Sequence, residues 1–228
     1  MFPNPLLNTV QQARVRVKMS LVPTAPTRTG GVTREQIADA ALAIVERDGA
    51  ELLTMRKLAA EIGVTSTTIY WHIGGRDDVL VAVLERFSER NRPRRIAGTT
   101  SRERVLSIVG QIRAQALQHA NISRLAYDIG LTARIQLPWQ QALVAELSAA
   151  GLAGDDAALA MRGLLYTVGG FIVVALRRAQ EGLGSEQAWA GLDDASIDPV
   201  VRDRLAHSPD FDAIFERTLT ALIDGLLP

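Results

Sequence analysis

Apolar residues fall into a helical rhythm from Thr33 onward. Ile37, Ala40, Ala41, Ile44 and Val45 recur three and four positions apart, the spacing that lines one face of an α-helix. Thr33-Arg-Glu-Gln36 opens this run as a capping box, a hydroxyl followed three residues later by an amide, and Gly49 ends it. Thr54 caps a second, short helix that runs to about Ile62 and stops at Gly63. Thr65 or Ser66 starts a third, ending near Ile73-Gly74-Gly75, and a fourth runs from about Arg76 to Arg92 before Pro93. Behind them the pattern predicts helices at about 101–119, 123–130, 138–150, 155–181, 199–206 and 209–227. Pro138, Pro199 and Pro209 are read at first helical positions, where a missing N–H costs nothing. No segment alternates apolar and polar residues, so no sheet is expected, and Glu181 to Ser196 reads as a loop. The fold class is all-α: an N-terminal three-helix domain followed by a larger helical domain.

Three regions follow from this pattern. Residues 1–32 lack periodicity, and Pro23, Pro26, Gly30 and Gly31 predict a flexible arm. Met19 is a second possible start within it. Residues 33–80 hold the three short helices, and 81–228 the larger domain. Charge divides unevenly. Residues 1–95 carry 14 Lys/Arg against 10 Asp/Glu, and residues 96–228 carry 11 against 15. A basic front and an acidic rear suit a protein that offers one end to a polyanion. Early prolines and Arg14, Arg16 and Lys18 speak against a secretory signal. The longest uncharged run in the rear, Gly163 to Leu176, has 14 residues, short of the roughly 20 that span a bilayer. The expectation is a soluble, cytoplasmic protein with no membrane partner.

The segment Leu53-Thr-Met-Arg-Lys-Leu-Ala-Ala-Glu-Ile-Gly-Val-Thr-Ser-Thr-Thr-Ile-Tyr-Trp-His-Ile73 carries the chemistry. It encodes two short helices joined by a tight turn. Ala59 is small where the helices must approach, Gly63 supplies a positive φ, and Leu58, Ile62, Val64 and Ile69 form the apolar seam. That is a helix-turn-helix, whose second helix enters the major groove of DNA. Thr65, Ser66, Thr67 and Thr68 sit at the start of that helix. Their hydroxyls reach phosphates or base edges, and the threonine methyls can meet a thymine methyl. They are poor helix formers, so they are not there for helix stability, although a cap and turn would also use them. Tyr70 and His72 bond phosphate oxygens; Arg56 reaches a guanine edge or a phosphate; Arg76 heads the fourth helix, facing the backbone. Trp71 has two readings, a hydrophobic anchor for the helix, as is usual for tryptophan, or a member of the DNA face. His72 is read equally as a buried histidine or a phosphate contact.

Residues 33–80 resemble the DNA-binding domain of the TetR family of bacterial regulators, through Leu53-Thr54, Arg56-Lys57-Leu58-Ala59, Gly63-Val64 and Tyr70-Trp71-His72. The resemblance implies DNA contact by Arg56, Ser66, Thr67, Thr68, Tyr70, Trp71, His72 and Arg76. The rear half is similar in outline only, and by that likeness serves effector binding and dimerisation. The two last long helices would then form a four-helix bundle with those of a second subunit. Tetracycline-binding members of the family use a histidine to ligate a metal-bound drug. His119 and His207, the only histidines behind residue 72, do not match it.

Tyr127, Trp139, Met161, Tyr166 and Phe171 are candidates to line an apolar effector pocket, with plain core as the alternative for most of them. Gly163, Gly169 and Gly170 inside a helix suit close approach at a dimer interface, room for a ligand, or a kink. An enzyme is not expected. The chain has no cysteine, three scattered histidines and no coherent acid pair, which leaves no thiol nucleophile, metal set or cofactor loop. Gly182-Leu-Gly184 lacks both the preceding strand and the third glycine of a dinucleotide loop. The sequence therefore predicts a homodimeric regulator, a repressor, on a palindromic double-stranded DNA operator, released by a small, largely apolar effector. The alternative is a DNA-binding regulator controlled by a protein partner, with no small-molecule effector.

Overall fold

A computed structural model describes residues 31–181, 185–192, 194 and 196–228. Most of the predicted arm, Met19 included, and the Gly182–Gly184 pair lie outside the described residues. Among those described there are twelve α-helices and no strand, as the periodicity predicts. The front comprises α1 (Arg34–Asp48), a 3-10 turn (Ala50–Leu52), α2 (Met55–Ile62), α3 (Ser66–His72) and α4 (Arg76–Arg90). The rear comprises α5 (Ser101–Gln118), α6 (Ala120–Asp128), α7 (Thr132–Ile135), α8 (Leu137–Ala149), α9 (Gly154–Glu181), α10 (Ser185–Ala190), α11 (Pro199–Leu205) and α12 (Phe211–Leu226).

Local chemistry sets most of these boundaries. The Thr33 hydroxyl accepts from the Gln36 amide at 3.1 Å, and the Gln36 side chain accepts from the Thr33 amide at 2.8 Å, closing the capping box. Thr54 and Thr65 cap α2 and α3 through the amides of Lys57 and Thr68. Gly63 ends α2 at φ 72°, a left-handed conformation that a Cβ would strain. Three expectations are corrected. Ser185–Ala190 is helical where a loop was predicted; six residues of good helix formers are too short to reveal a period. Pro209 does not open the last helix. Asp210 does, its carboxylate accepting from Asp212 and Ala213, so the proline sits one residue outside. And α7 fills the interval between two predicted helices with a single turn.

Two apolar cores organise the chain. In the front core, Ile37, Ile44 and Val45 of α1 meet Leu58 of α2, Ile69 of α3 and Val83 and Leu84 of α4, all buried. Phe87 and, from α6, Ile122, Leu125 and Ala126 join the same core, so a rear helix is packed into the front. The rear core gathers Val105, Ile108 and Ile112 of α5, Leu143 and Leu147 of α8, Leu164 and Val168 of α9, and Leu219 and Ile223 of α12. Each fully buried Leu or Ile contributes roughly 1.5–3 kcal/mol of transfer free energy. Gly154–Arg177 of α9 is long and apolar enough to cross a membrane, more so than its uncharged run suggested. In the fold it is the spine of the rear core, packed on α5, α8 and α12.

Polar links fasten front to rear. His119 Nδ1 lies 2.8 Å from a Glu46 carboxylate oxygen, and Asn121 Nδ2 donates to the Glu46 carbonyl at 3.0 Å. The Ser88 hydroxyl donates to the Ile135 carbonyl at 3.0 Å, and Arg134 pairs with Glu85 at 2.6 Å. Within the front, Asp39 of α1 receives Arg86 and Arg90 of α4. The Arg86 hydrogen bond is the largest cause holding the Asp39 carboxyl below its usual range; burial opposes it, and the charges of Arg90 and Arg86 add to the lowering.

Candidate nucleic-acid interface

The third helix is only seven residues long, and about two turns fix what each of its side chains faces. At 3.6 residues per turn, Ile69 and Ile73, four apart, point the same way, and both are buried against the front core. Thr67 and Trp71 then form the opposite crest, Ser66 and Tyr70 one flank, and Thr68 and His72 the other. Exposure follows this wheel. Trp71 is 86% exposed and Tyr70 55% exposed, Thr67 is exposed, and Ser66, Thr68 and His72 are half-buried. The anchor reading of Trp71 is thereby corrected. Ile69 and Ile73 hold the helix down, and the indole stands in solvent, its nearest ring neighbour the His72 imidazole at 6.1 Å in an edge-on pose.

The hydroxyls divide into two kinds. Thr65 is the N-cap, and its oxygen also lies 3.0 Å from the Thr68 hydroxyl, so both are committed to the helix start. Among the described residues no hydrogen bond engages the Ser66 or Thr67 hydroxyl, leaving them as donors and acceptors for an outside partner. Arg56, on the exposed side of α2, has no ion pair or hydrogen bond among the described residues. Its neighbour Lys57 is bound to Asp48 at 2.8 Å, and Arg47 pairs with Asp48 and Glu61. Hydrogen bonds from Arg47, and then Lys57, hold the Asp48 carboxyl below its ordinary range.

Arg76 behaves differently from the expectation that it faces a phosphate. Its Nε donates to the Leu53 carbonyl at 3.0 Å and its Nη2 to the Ala50 carbonyl at 2.7 Å. The guanidinium thus ties the head of α4 to the turn that precedes α2. Gly74, at φ 113°, makes the bend into α4, and a Cβ there would fall 2.3 Å from an Asp78 carboxylate oxygen. Sequence reasoning passed over Arg34. Its Nη1 donates to the His72 carbonyl at 3.5 Å, so the start of α1 is fixed beside the end of α3. An arginine immediately after the Thr33 cap was the available signal.

The five candidates for an effector pocket divide between the surface and the rear core. Tyr127 and Tyr166 face outward, 68% and 77% exposed. Trp139 is buried, its Nε1 donating to the Asn91 carbonyl at 2.9 Å. Phe171 packs edge-on against Phe215 at 5.2 Å between centroids, and Met161 leans on the rear core. A groove of about 470 Å³ lies elsewhere, where α4 meets α7 and α8, walled by Leu84, Ser88, Arg92, Leu131, Arg134 and Leu137. No group of three His, Asp or Glu side chains is gathered for a metal ion among the described residues.

Comparison with known proteins places this geometry. Residues 37–83 match the family model of bacterial regulatory proteins, tetR family. An HTH-type transcriptional regulator of Saccharopolyspora erythraea is 28% identical over 200 residues, covering 86% of this chain and 84% of that protein. The tetracycline repressor protein class A from transposon 1721 of Escherichia coli is 29% identical over 201 residues, 82% of this chain and 87% of its own length. In fold, the chain is similar to apo ActR from Streptomyces coelicolor, with a TM-score of 0.71 at 24% identity over 88% of this chain and 97% of ActR. ActR has also been solved with actinorhodin bound, a structure that aligns with a TM-score of 0.69. A helix-turn-helix whose second helix buries two isoleucines and exposes hydroxyl and aromatic groups is thus matched by the tetR-family model at residues 37–83, and the chain is similar over most of its length to HTH-type transcriptional regulators of that kind.

Proposed function

We propose that the protein is a homodimeric repressor that binds a palindromic operator with two copies of α3 and is released when a small, largely apolar molecule occupies its rear domain. The observation that carries the reading is the crest of α3, where Thr67 and Trp71 stand clear of the core with Tyr70 and Ser66 beside them. In this reading Ser66, Thr67 and Trp71 meet base edges, while Tyr70, His72 and Arg56 meet phosphates, and Thr65 and Thr68 shape the helix start. Arg76 acts through its carbonyl bonds as a positioning residue, not as a phosphate contact. Residues 33–80 serve as the DNA-binding unit and 81–228 as the effector and dimer unit.

Dimerisation is supported by an unpartnered apolar face. Leu159, Gly163, Tyr166, Gly170 and Val173 repeat at alternating spacings of four and three along α9, and Leu159 and Tyr166 are 63% and 77% exposed. Ile214 and Ala221 of α12 are exposed too. The half-buried Gly163 and exposed Gly170 meet nothing within 4 Å where a Cβ would stand, which leaves room for a second helix to approach closely. Small-molecule control is supported by the fold shared with ActR, a protein solved with actinorhodin bound. The means of coupling are the front–rear links at Glu46 and Glu85. An effector that favours one placement of α6 and α7 over another shifts α4, and with it the spacing of the two α3 helices.

Gel-shift and footprinting on the DNA around its own gene test the reading. The wild type should protect two half-sites centred about one or more helical turns apart, roughly 34 Å each. Arg56→Ala and Tyr70→Ala should each weaken binding by about 10-fold or more, the scale of losing one strong contact, with dimerisation intact by size-exclusion chromatography. Unchanged affinity in both variants, or protection with no dyad, would overturn it.

A further inference from the structure

We propose that the groove where α4 meets α7 and α8 is the effector site, and that its ligand is an apolar body bearing one anionic group, a carboxylate or sulfonate, held by Arg92. The proposal rests on the regulator reading above and gives its effector a place and a charge. The lining is mainly apolar. Leu84 is buried in the front core, Leu131 and Ile135 pack on that core, and Leu137 and Pro138 stand at the start of α8. Leu137 remains 50% exposed. The volume, about 470 Å³, falls within the roughly 300–1,000 Å³ of small-molecule sites, whose walls are apolar with a few placed polar groups.

The charged groups of the lining are committed, with one exception. Arg134 holds Glu85 at 2.6 Å and Arg86 holds Glu89 at 3.3 Å, so both carboxylates of the lining are neutralised. Arg92 lines the same groove and has no ion pair or hydrogen bond among the described residues. Its place is fixed by its neighbour. The Asn91 carbonyl accepts from Trp139 Nε1 at 2.9 Å and from Gln115 Nε2 at 3.3 Å, which pins the end of α4 to α8 and α5. An uncommitted guanidinium fork beside an apolar wall selects an anion carried on an apolar body. A cationic ligand would meet that guanidinium and only carboxylates that are already paired.

The groove also lies where its occupancy is felt by the DNA-binding helices. Its α4 wall belongs to the front core, and α8, through Leu143 and Leu147, to the rear core. Between them α7 is a single turn, Thr132–Ile135, with no side-chain cap, following Gly130 at φ 70°. Two links hold that turn to α4, the Arg134–Glu85 pair and the bond from the Ser88 hydroxyl to the Ile135 carbonyl, and all four residues line the groove. A body lodged between Leu84 and Leu137 touches both sides at once, so it favours the spacing of α4 and α8 that fits it. Operator DNA favours the spacing that sets the two α3 helices. With different spacings preferred, each ligand lowers the affinity of the other by the same factor.

The test titrates two fluorescent probes into the full-length protein: anilinonaphthalene sulfonate, an apolar anion, and phenylnaphthylamine, the same body without the charge. The wild type should bind the anion saturably. Arg92→Ala should weaken it by about 10-fold, the scale of losing one charge-assisted hydrogen bond, and leave the neutral probe unchanged. Leu137→Trp, which fills the groove from an exposed position, should abolish saturable binding of both. Melting followed by circular dichroism checks that each variant is folded, and the exposed Arg92 keeps the test decisive if the tryptophan is not tolerated. Saturating operator DNA should lower affinity for the anion, and the anion should lower affinity for operator by the same factor. Wild-type affinity for the anion in Arg92→Ala overturns the anionic class. Wild-type binding of both probes in Leu137→Trp moves them to another surface, such as the apolar face of α9, and overturns the groove. Affinity for the anion that operator leaves unmoved overturns the groove as effector site. A wild type that binds the anion in the expected pattern yet selects no operator overturns the regulator reading instead.

Discussion

The two cores of this protein are built from the same few aliphatic residues and finished in opposite ways. The front core includes two helices of only eight and seven residues, α2 and α3, capped by Thr54 and Thr65, and its outward surface at α3 mixes polar and aromatic groups. The rear core is closed by long helices, and its outward surface on α9 is a stripe of Leu159, Tyr166 and Val173 interrupted by glycines. A polar and aromatic crest on a short, tightly held helix suits a hydrated, charged partner. An apolar stripe on a long helix suits a dry one, and a second copy of the same helix is the partner with matching shape. Surface chemistry thus separates two tasks that the interiors, taken alone, would not distinguish.

Three experiments break or sharpen this contrast. The largest effect is expected on the rear face. Leu159→Glu with Tyr166→Glu places charge in the proposed dimer interface, at the cost of burying unpaired carboxylates. Monomers should appear in analytical ultracentrifugation, and operator affinity should fall by about 100-fold or more, since two half-sites are then no longer bound as one. A dimer that survives would move the interface off α9. Next come the cores themselves. Leu58→Ala in front and Leu219→Ala behind should each cost about 2–5 kcal/mol in denaturant unfolding, the range for emptying a packed leucine site. Because α6 is built into the front core through Ile122 and Leu125, both variants should unfold in a single transition. Two separated transitions would mean that the cores are energetically independent.

The smallest effect concerns the Asp39 clamp on Arg86 and Arg90. A carboxyl whose folded pKa is lowered adds stability that is complete above its unfolded value, about 3.9, and is lost as pH falls through the lowered folded value. Asp39→Asn should therefore reduce the melting temperature at neutral pH by about 1–4 °C, the scale of a partly exposed ion pair in a chain of this size. The gap between the two proteins should narrow as pH falls below the unfolded value and close once the aspartate is protonated in the folded protein. A gap that does not narrow with falling pH would assign the loss to packing instead of charge.

Much of the DNA face is readable in one dimension because its causes are local. Thr65, Gly63 and the Ile69–Ile73 spacing act within a turn or two, and they suffice to set which side of α3 is wet. Trp71 shows the limit. Its type predicts burial, yet two isoleucines already fill the inward positions, and only the packed helix reveals that the indole is left outside. Arg76 shows another. A cation at the head of a helix reads as a phosphate ligand until the fold brings the Leu53 and Ala50 carbonyls to its guanidinium across more than twenty residues. The five effector candidates divide between the surface and the rear core for a related reason. Residue type marks them as apolar, but their places on α6, α8 and α9 depend on helix rotations fixed by distant partners.

The sequence by itself determined the all-α class, the positions of the capped front helices and the turn at Gly63. Each of these follows from backbone hydrogen bonding and steric preference over a few neighbouring residues. The tertiary structure alone decided that α6 belongs to the front core, that Arg34 and Arg76 serve carbonyls, and that one apolar side of α9 is left uncovered. Those outcomes come from long-range packing, where which faces are buried depends on what the rest of the chain brings against them.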